Sequence, residues 1–307
     1  MQRTAESVQH WLGKNPSLDE LQARFPLIWE PVAHNIADAL SRQDYDALTA
    51  MTVAASQPGS RKRPRSKQDY DALVQGEVRR RMTTAALAQA RFSLATGVAD
   101  GPVRFNWFNG TVLQRLLFAH DLERKPVSRF WFRLFWPLLS QRRFLMALVQ
   151  PKGIYCFYSK QLISGLAELI GTSRCLEIAA GDGTLSRLLA EHGTKVTATD
   201  DYSWKDRVQF NDAVLRQEAT TALRVHQPEV VICSWPPAAN RFERAVFTTR
   251  SVQLYVVIST RHEFSSGDWA TYRKQHGFDF EEVPALSRLV LPPELDPAVY
   301  VFRRKLS

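Results

Sequence analysis

The stretch Cys175-Leu176-Glu177-Ile178-Ala179-Ala180-Gly181-Asp182-Gly183-Thr184-Leu185 decides the fold. It predicts a strand over 174–179, a turn of small residues, and a helix over 185–192. Small side chains are needed in such a turn because a larger one would keep a ligand from lying against the backbone. The N–H groups at the helix start then face that ligand. Seventeen residues past Gly183, Asp200 ends the next strand, predicted over 195–199. A carboxylate in that place can accept hydrogen bonds from both hydroxyls of a ribose.

The alternation continues on both sides. Helices are predicted over 159–170, 213–226, 241–249 and 269–275, and strands over 229–233, 252–259 and 298–302. Strands separated by helices of this length imply an α/β fold with a mostly parallel sheet covered on both faces. The chain before residue 150 reads as helical. Ser17 and Glu20 have capping-box spacing ahead of a short helix that Pro26 ends. Pro31 can open a second helix, with Val32, Ile36 and Leu40 on one face. A third is expected over 43–55 and a long one over 68–94, with Tyr70, Leu73, Val74, Val78, Met82 and Ala85 as its buried stripe. Residues 97–110 read as loop or hairpin, with Asn109-Gly110 as a turn signal, and further helices are expected over 111–120 and 127–149.

At 307 residues, two domains are the natural division: a helical, basic one over 1–150, with a linker at 57–67, and an α/β one over 151–307. Apolar residues at 45% and charged residues at 23% suit a folded chain. The net charge of +9 is concentrated in residues 61–150, which hold 17 basic and 6 acidic side chains. Such a stretch attracts phosphate backbones or anionic surfaces, or simply solvates a helical face. No apolar run is long enough for a membrane span. The amino terminus lacks a secretion signal's apolar core, which predicts a cytoplasmic location. Cys156, Cys175 and Cys233 are too widely spaced for a metal site or a disulfide framework. In the run Arg129-Phe130-Trp131-Phe132-Arg133-Leu134-Phe135-Trp136, helical spacing gathers Phe132, Phe135 and Trp136 into a core-facing stripe. Base stacking and membrane docking are the other uses of such a run.

The strand, the glycine turn and Asp200 together resemble the class I S-adenosylmethionine-dependent methyltransferases, over about residues 155–307. The resemblance implies a Rossmann-like domain with a seven-stranded, mostly parallel sheet and S-adenosyl-L-methionine as cofactor. It implies that Glu177, Gly181 and Gly183 line the methionine part, with Ala179 standing where many members carry the first glycine. By the same resemblance Asp200 binds the ribose, and Asp212, in Asp212-Ala213, reads the adenine amino group. A nicotinamide-binding turn fits less well, because its pattern needs glycine or alanine at Ser186 and gives Glu177 no role.

Strand 229–233 runs into Ser234-Trp235-Pro236-Pro237, which looks like a relative of the Asn-Pro-Pro-Tyr motif of enzymes that methylate amino nitrogens. The resemblance makes Ser234, Trp235 and Pro236 candidates for holding the acceptor. The other reading of the prolines is a rigid turn that ends the strand. His262 follows strand 252–259, where it can serve as a general base oriented by Glu263, or cap the loop. Tyr155 and Tyr158 can close over the cofactor or pack in the core. The function expected is methyl transfer, with no metal, to an acceptor recognised by the helical half. Nucleic acid, particularly RNA, is the favoured acceptor through the basic region 61–150. The alternatives are a small-molecule methyltransferase and a catalytically inactive binding protein of the same fold.

Overall fold

The computed structural model describes residues 5–14, 16–56, 66–96, 107–140 and 142–305. The expected linker at 57–67 lies almost wholly outside these residues, as do residues 97–106 of the loop expected over 97–110. The chain divides into two units, Met1–Arg91 with Glu263–Ser265, and Phe92–His262 with Ser266–Ser307. The helices within 107–149 therefore belong to the second unit, together with the sheet.

The first unit is built from α1 (Ala5–Leu12), α2 (Leu18–Arg24), α3 (Pro26–Ser41), α4 (Tyr45–Ser56) and most of α5 (Lys67–Thr96). The capping box at Ser17 and Glu20 forms in both directions. Pro26, not Pro31, opens α3: it takes the first helical position, while Pro31 lies inside the helix. Proline is well placed there because its fixed φ suits the first turn and its missing N–H would have had no partner. The stripe on α5 is shifted toward its carboxyl end. Val78, Met82, Ala86, Leu87 and Ala90 are buried, whereas Tyr70, Leu73, Val74 and Ala85 are half-buried. The unit's core joins these to Val8, Leu12, Leu21, Val32, Ile36, Ala39 and Leu48, and also to Phe264, which is fully buried.

The second unit begins with α6 (Trp107–Leu117), so the Asn109-Gly110 pair sits inside a helix and not in a turn. Asn109 is buried, and its side-chain amide donates to Ser140 Oγ. The single helix expected over 127–149 is broken into α7 (Arg129–Phe135), two 3-10 turns at Trp136–Leu138 and Arg142–Phe144, and α8 (Leu145–Val149). Pro137 accounts for the first break, since it cannot donate to the helical ladder. Phe132 and Trp136 stack 4.6 Å apart in the core, as their spacing requires; Phe135 is only half-buried.

Next come β1 (Phe157–Tyr158), α9 (Lys160–Ile170), β2 (Cys175–Ile178), α10 (Thr184–Glu191), β3 (Val196–Asp200), β4 (Val214–Arg216), α11 (Ala219–His226) and β5 (Val230–Ser234). They are followed by α12 (Glu243–Thr248), β6 (Leu254–Thr260), α13 (Trp269–Lys274), β7 (Phe278–Glu282), α14 (Pro284–Ser287), β8 (Val290–Leu291) and β9 (Pro297–Arg304). The helix expected over 213–226 is thus a strand and a shorter helix. Val214 and Leu215 join the sheet beside β3.

Seven strands form one sheet in the order β4-β3-β2-β5-β6-β9-β7. Its first five strands are mutually parallel, and β9 runs antiparallel to both β6 and β7. The expected Rossmann-like sheet is present. Residues alternate between two cores, as a two-faced sheet demands. Cys175, Val230, Ile232, Leu254, Val256 and Ile258 pack with α9, α10 and the helices before β1. Leu176, Ile178, Val231, Cys233, Tyr255 and Val257 pack with α11, α12 and α13 on the other face.

Candidate active site at the carboxyl ends of β2 and β5

From β2 the chain moves outward through β3 to β4, then crosses back to β5, so strand order reverses between β2 and β5. Ligands in open α/β sheets lie beyond the carboxyl ends of the strands at such a reversal. Two predicted constellations meet there, because β2 and β5 are direct neighbours. One is the glycine turn and the other is Ser234-Trp235-Pro236.

The turn contains three left-handed residues, Ala179 (φ +50°), Gly181 (φ +56°) and Gly183 (φ +72°). That conformation is why glycine suits the place Ala179 occupies: a Cβ there costs of order 1 kcal/mol or more. Gly183 lets the turn approach β4, since a Cβ would stand 2.5 Å from Val214 Cγ2. Gly181 differs. A Cβ built on it meets no atom within 4 Å, so its backbone borders open space.

Asp200 faces the turn. Its Oδ2 accepts from the Gly181 N–H at 2.9 Å and its Oδ1 from the Tyr202 N–H at 2.8 Å. Burial raises its pKa, an effect partly offset by these two N–H groups. A carboxylate offers about four acceptor positions, so two remain for a ligand's hydroxyls. Glu177 lies beneath the turn, fully buried, where its carboxylate accepts from the backbone N–H and the hydroxyl of Ser186 in α10. Burial pushes its pKa up to about 7, against the Ser186 hydrogen bonds.

The second wall is made by β1 and β5. Ser234 Oγ lies 2.8 Å from the Tyr158 hydroxyl and 3.9 Å from Cys156 Sγ. Burial raises the pKa of both Tyr158 and Cys156, which keeps them protonated at neutral pH. Arg124 ties this wall to the glycine turn. Its guanidinium donates to the Cys156 carbonyl and to Asp182 Oδ1, both at 2.7 Å, and stands over the Tyr158 ring. Burial is the strongest influence and opposes the charge on Arg124, but the Asp182 carboxylate and the polar groups around it together hold it above its ordinary pKa.

Trp235 takes a left-handed φ of +58° and donates its N–H to the Ile258 carbonyl at 2.7 Å. Pro236 presents its carbonyl to the Ser266 hydroxyl and the Gly267 N–H. Asn240 donates to the Pro237 carbonyl and to Glu243. Glu243 is buried and also accepts from the Tyr255 and Tyr272 hydroxyls and the Asp268 N–H. The loop after β5 is thus held from behind by a neutral-donor cage around one carboxylate.

The other predicted residues stand further out. Asp212 is exposed in the turn before β4, at that strand's amino end, and the acid just past its carboxyl end is Glu218, the N-cap of α11. His262 is half-buried after β6, its backbone N–H donating to Thr260 Oγ1. Tyr155 meets Trp204 edge-on at 6.4 Å. Sequence reasoning missed Arg124 and the pair Tyr202–Phe210, whose rings stack 3.8 Å apart beside Ala180 and Val214. The signal for Tyr202 was its place two residues after Asp200; nothing near Arg124 in the chain marked it.

The residues present fit S-adenosylmethionine on three counts. There is open space against Gly181, a carboxylate with spare acceptor positions at the end of β3, and a planar aromatic stack nearby.

No protein-family model matches the chain, and no curated protein matches it. Solved structures do resemble it. CurJ carbon methyltransferase is 13% identical, with 94% of this chain and 100% of that chain covered and a TM-score of 0.35. The plantazolicin methyltransferase BpumL in complex with SAH is 7% identical, with 56% and 93% covered and a TM-score of 0.33. A Spodoptera frugiperda DNMT2 mutant is 13% identical over 43% of this chain, with a TM-score of 0.29. The match spans 50% of that chain, half its length. With its strand reversal between β2 and β5 and its antiparallel β9 set between β6 and β7, the second unit has a Rossmann-like α/β fold.

Proposed function

We propose that the protein is an S-adenosylmethionine-dependent methyltransferase. The observation that carries this reading is the open backbone at Gly181 with the Asp200 carboxylate hydrogen-bonded across it. When bound there, the cofactor supplies a methyl group on a sulfonium, an electrophile that already carries its leaving group. The chain's work is to bind and orient. Asp200 accepts ribose hydroxyls, and the N–H groups of the turn face the rest of the ligand. Ser234 and the Trp235 carbonyl hold the acceptor nitrogen, while Pro236, its carbonyl taken by Ser266 and Gly267, fixes the turn. The Tyr158–Ser234 and Arg124–Asp182 contacts keep the two walls in register, and alignment of this kind can lower a barrier by about 7–11 kcal/mol.

Calorimetric titration with S-adenosylmethionine and with its demethylated product tests the reading. The native chain should release heat with both, and Gly181→Val should remove it by filling the open space. Undiminished affinity in that variant would refute the placement of the ligand. Transfer of labelled methyl into RNA, protein or a small-molecule extract assigns the acceptor. An RNA acceptor recognised through region 61–150 should bind with affinity that falls steeply with salt, and a flat salt response would remove RNA. Binding of cofactor with no labelled acceptor would instead support the inactive binding protein.

A further inference from the structure

The helix α7 is apolar on two sides. Phe132 and Trp136 fill the core, yet Phe130, Trp131, Leu134 and Leu138 are 68, 51, 49 and 65% exposed. At 100° per residue Phe130, Trp131 and Leu134 lie within one arc, opposite Phe132; half-buried Phe135 extends it through its stack on Trp131 at 5.7 Å, and exposed Leu138 follows in the 3-10 turn. Contiguous exposed apolar surface marks an interaction site.

Charge identifies what covers it. Arg133 is exposed and flanks the arc beside Phe130, and half-buried Arg129 lies one turn earlier on the same helix. Arg124 is buried against Asp182 and Arg142 pairs with Glu294, but between Glu123 and Glu168 the chain also holds Lys125, Arg129, Arg133, Arg143, Lys152 and Lys160 and no acid. Tryptophan, phenylalanine and leucine beside arginines are the composition of helices that lie in a membrane interface, their rings and chains in the acyl boundary and their cations among anionic headgroups. Stacking on nucleic acid is the poorer match. Leu134 and Leu138 offer no ring, and Phe130 and Phe135 already pack against Trp131. No helix among the described residues is long and apolar enough to cross a membrane, so the contact is peripheral.

We propose that this face docks the protein on an anionic lipid surface. The inference rests on the exposed face and stands whether or not methyl transfer is confirmed. The test is co-sedimentation of the full chain with vesicles of phosphatidylcholine alone and of phosphatidylcholine mixed with phosphatidylglycerol. The chain should bind the mixed vesicles, weakly bind the neutral ones, and lose affinity as salt rises. Combined Trp131→Ser and Leu134→Ser substitution should weaken partitioning at least about tenfold. Because both side chains are exposed, the variant's thermal midpoint should stay close to the parent's. The pair Arg129→Gln and Arg133→Gln should flatten the salt dependence. Four results would each overturn the proposal: no binding to mixed vesicles, equal binding to neutral ones, equal binding by the serine variant, or self-association or RNA binding that the serine substitutions abolish instead.

Discussion

Glu177 shows what a single residue contributes here. Its carboxyl is fully buried under the glycine turn, and its pKa stands at about 7 against an ordinary 4.5. A carboxyl raised on folding favours the folded state most below the unfolded pKa, and that contribution is lost as pH rises through the folded one. Between pH 4.5 and 7 the loss is of order 3 kcal/mol. Glu177→Gln cannot ionise, so the stability of native protein relative to this variant should fall across that window, as read from urea midpoints. A constant difference would mean that Glu177 titrates as it does in the unfolded chain. Gly181, Gly183 and Asp200 could be read from the sequence because turn chemistry is local. Arg124 could not: its partner Asp182 lies 58 residues away, and only folding makes an ion pair of them.

At the scale of elements, the central strands β2, β5 and β6 were legible as apolar runs, since a parallel strand buried on both faces needs no alternation. The two-residue pair β1 and β8, and the edge strands β4 and β7, were not. Short or half-exposed edges carry too few apolar residues to stand out, and β4 merges by composition with the helix that follows it. The long helix expected before β1 failed for the opposite reason: its apolar pattern persists through Pro137, which breaks it. The loop after β5 depends on the cage about Glu243. Removing one donor from a buried carboxylate costs about 1–3 kcal/mol. Tyr272→Phe should therefore lower unfolding stability by that amount, and no shift would show that the remaining donors suffice.

For the molecule as a whole, the two units differ in how their chain is supplied. The second is nearly continuous, but the first takes Glu263–Ser265 from between β6 and α13. Phe264 is fully buried in the first unit's core, and its ring stacks on Tyr45 at 6.1 Å. Truncating a buried phenylalanine costs about 3–5 kcal/mol. Phe264→Ala should loosen α1 to α5, seen as faster amide exchange there, while β2, β5 and β6 keep their protection. Equal loss in both sets would mean that the two units unfold as one.

The timing of synthesis is constrained by that one aromatic side chain. Every helix of the first unit has left the ribosome long before residue 264 is made. At roughly 5–20 residues per second the interval is on the order of ten to thirty seconds. Through that interval the nascent amino-terminal helices lack one of the side chains that complete their core.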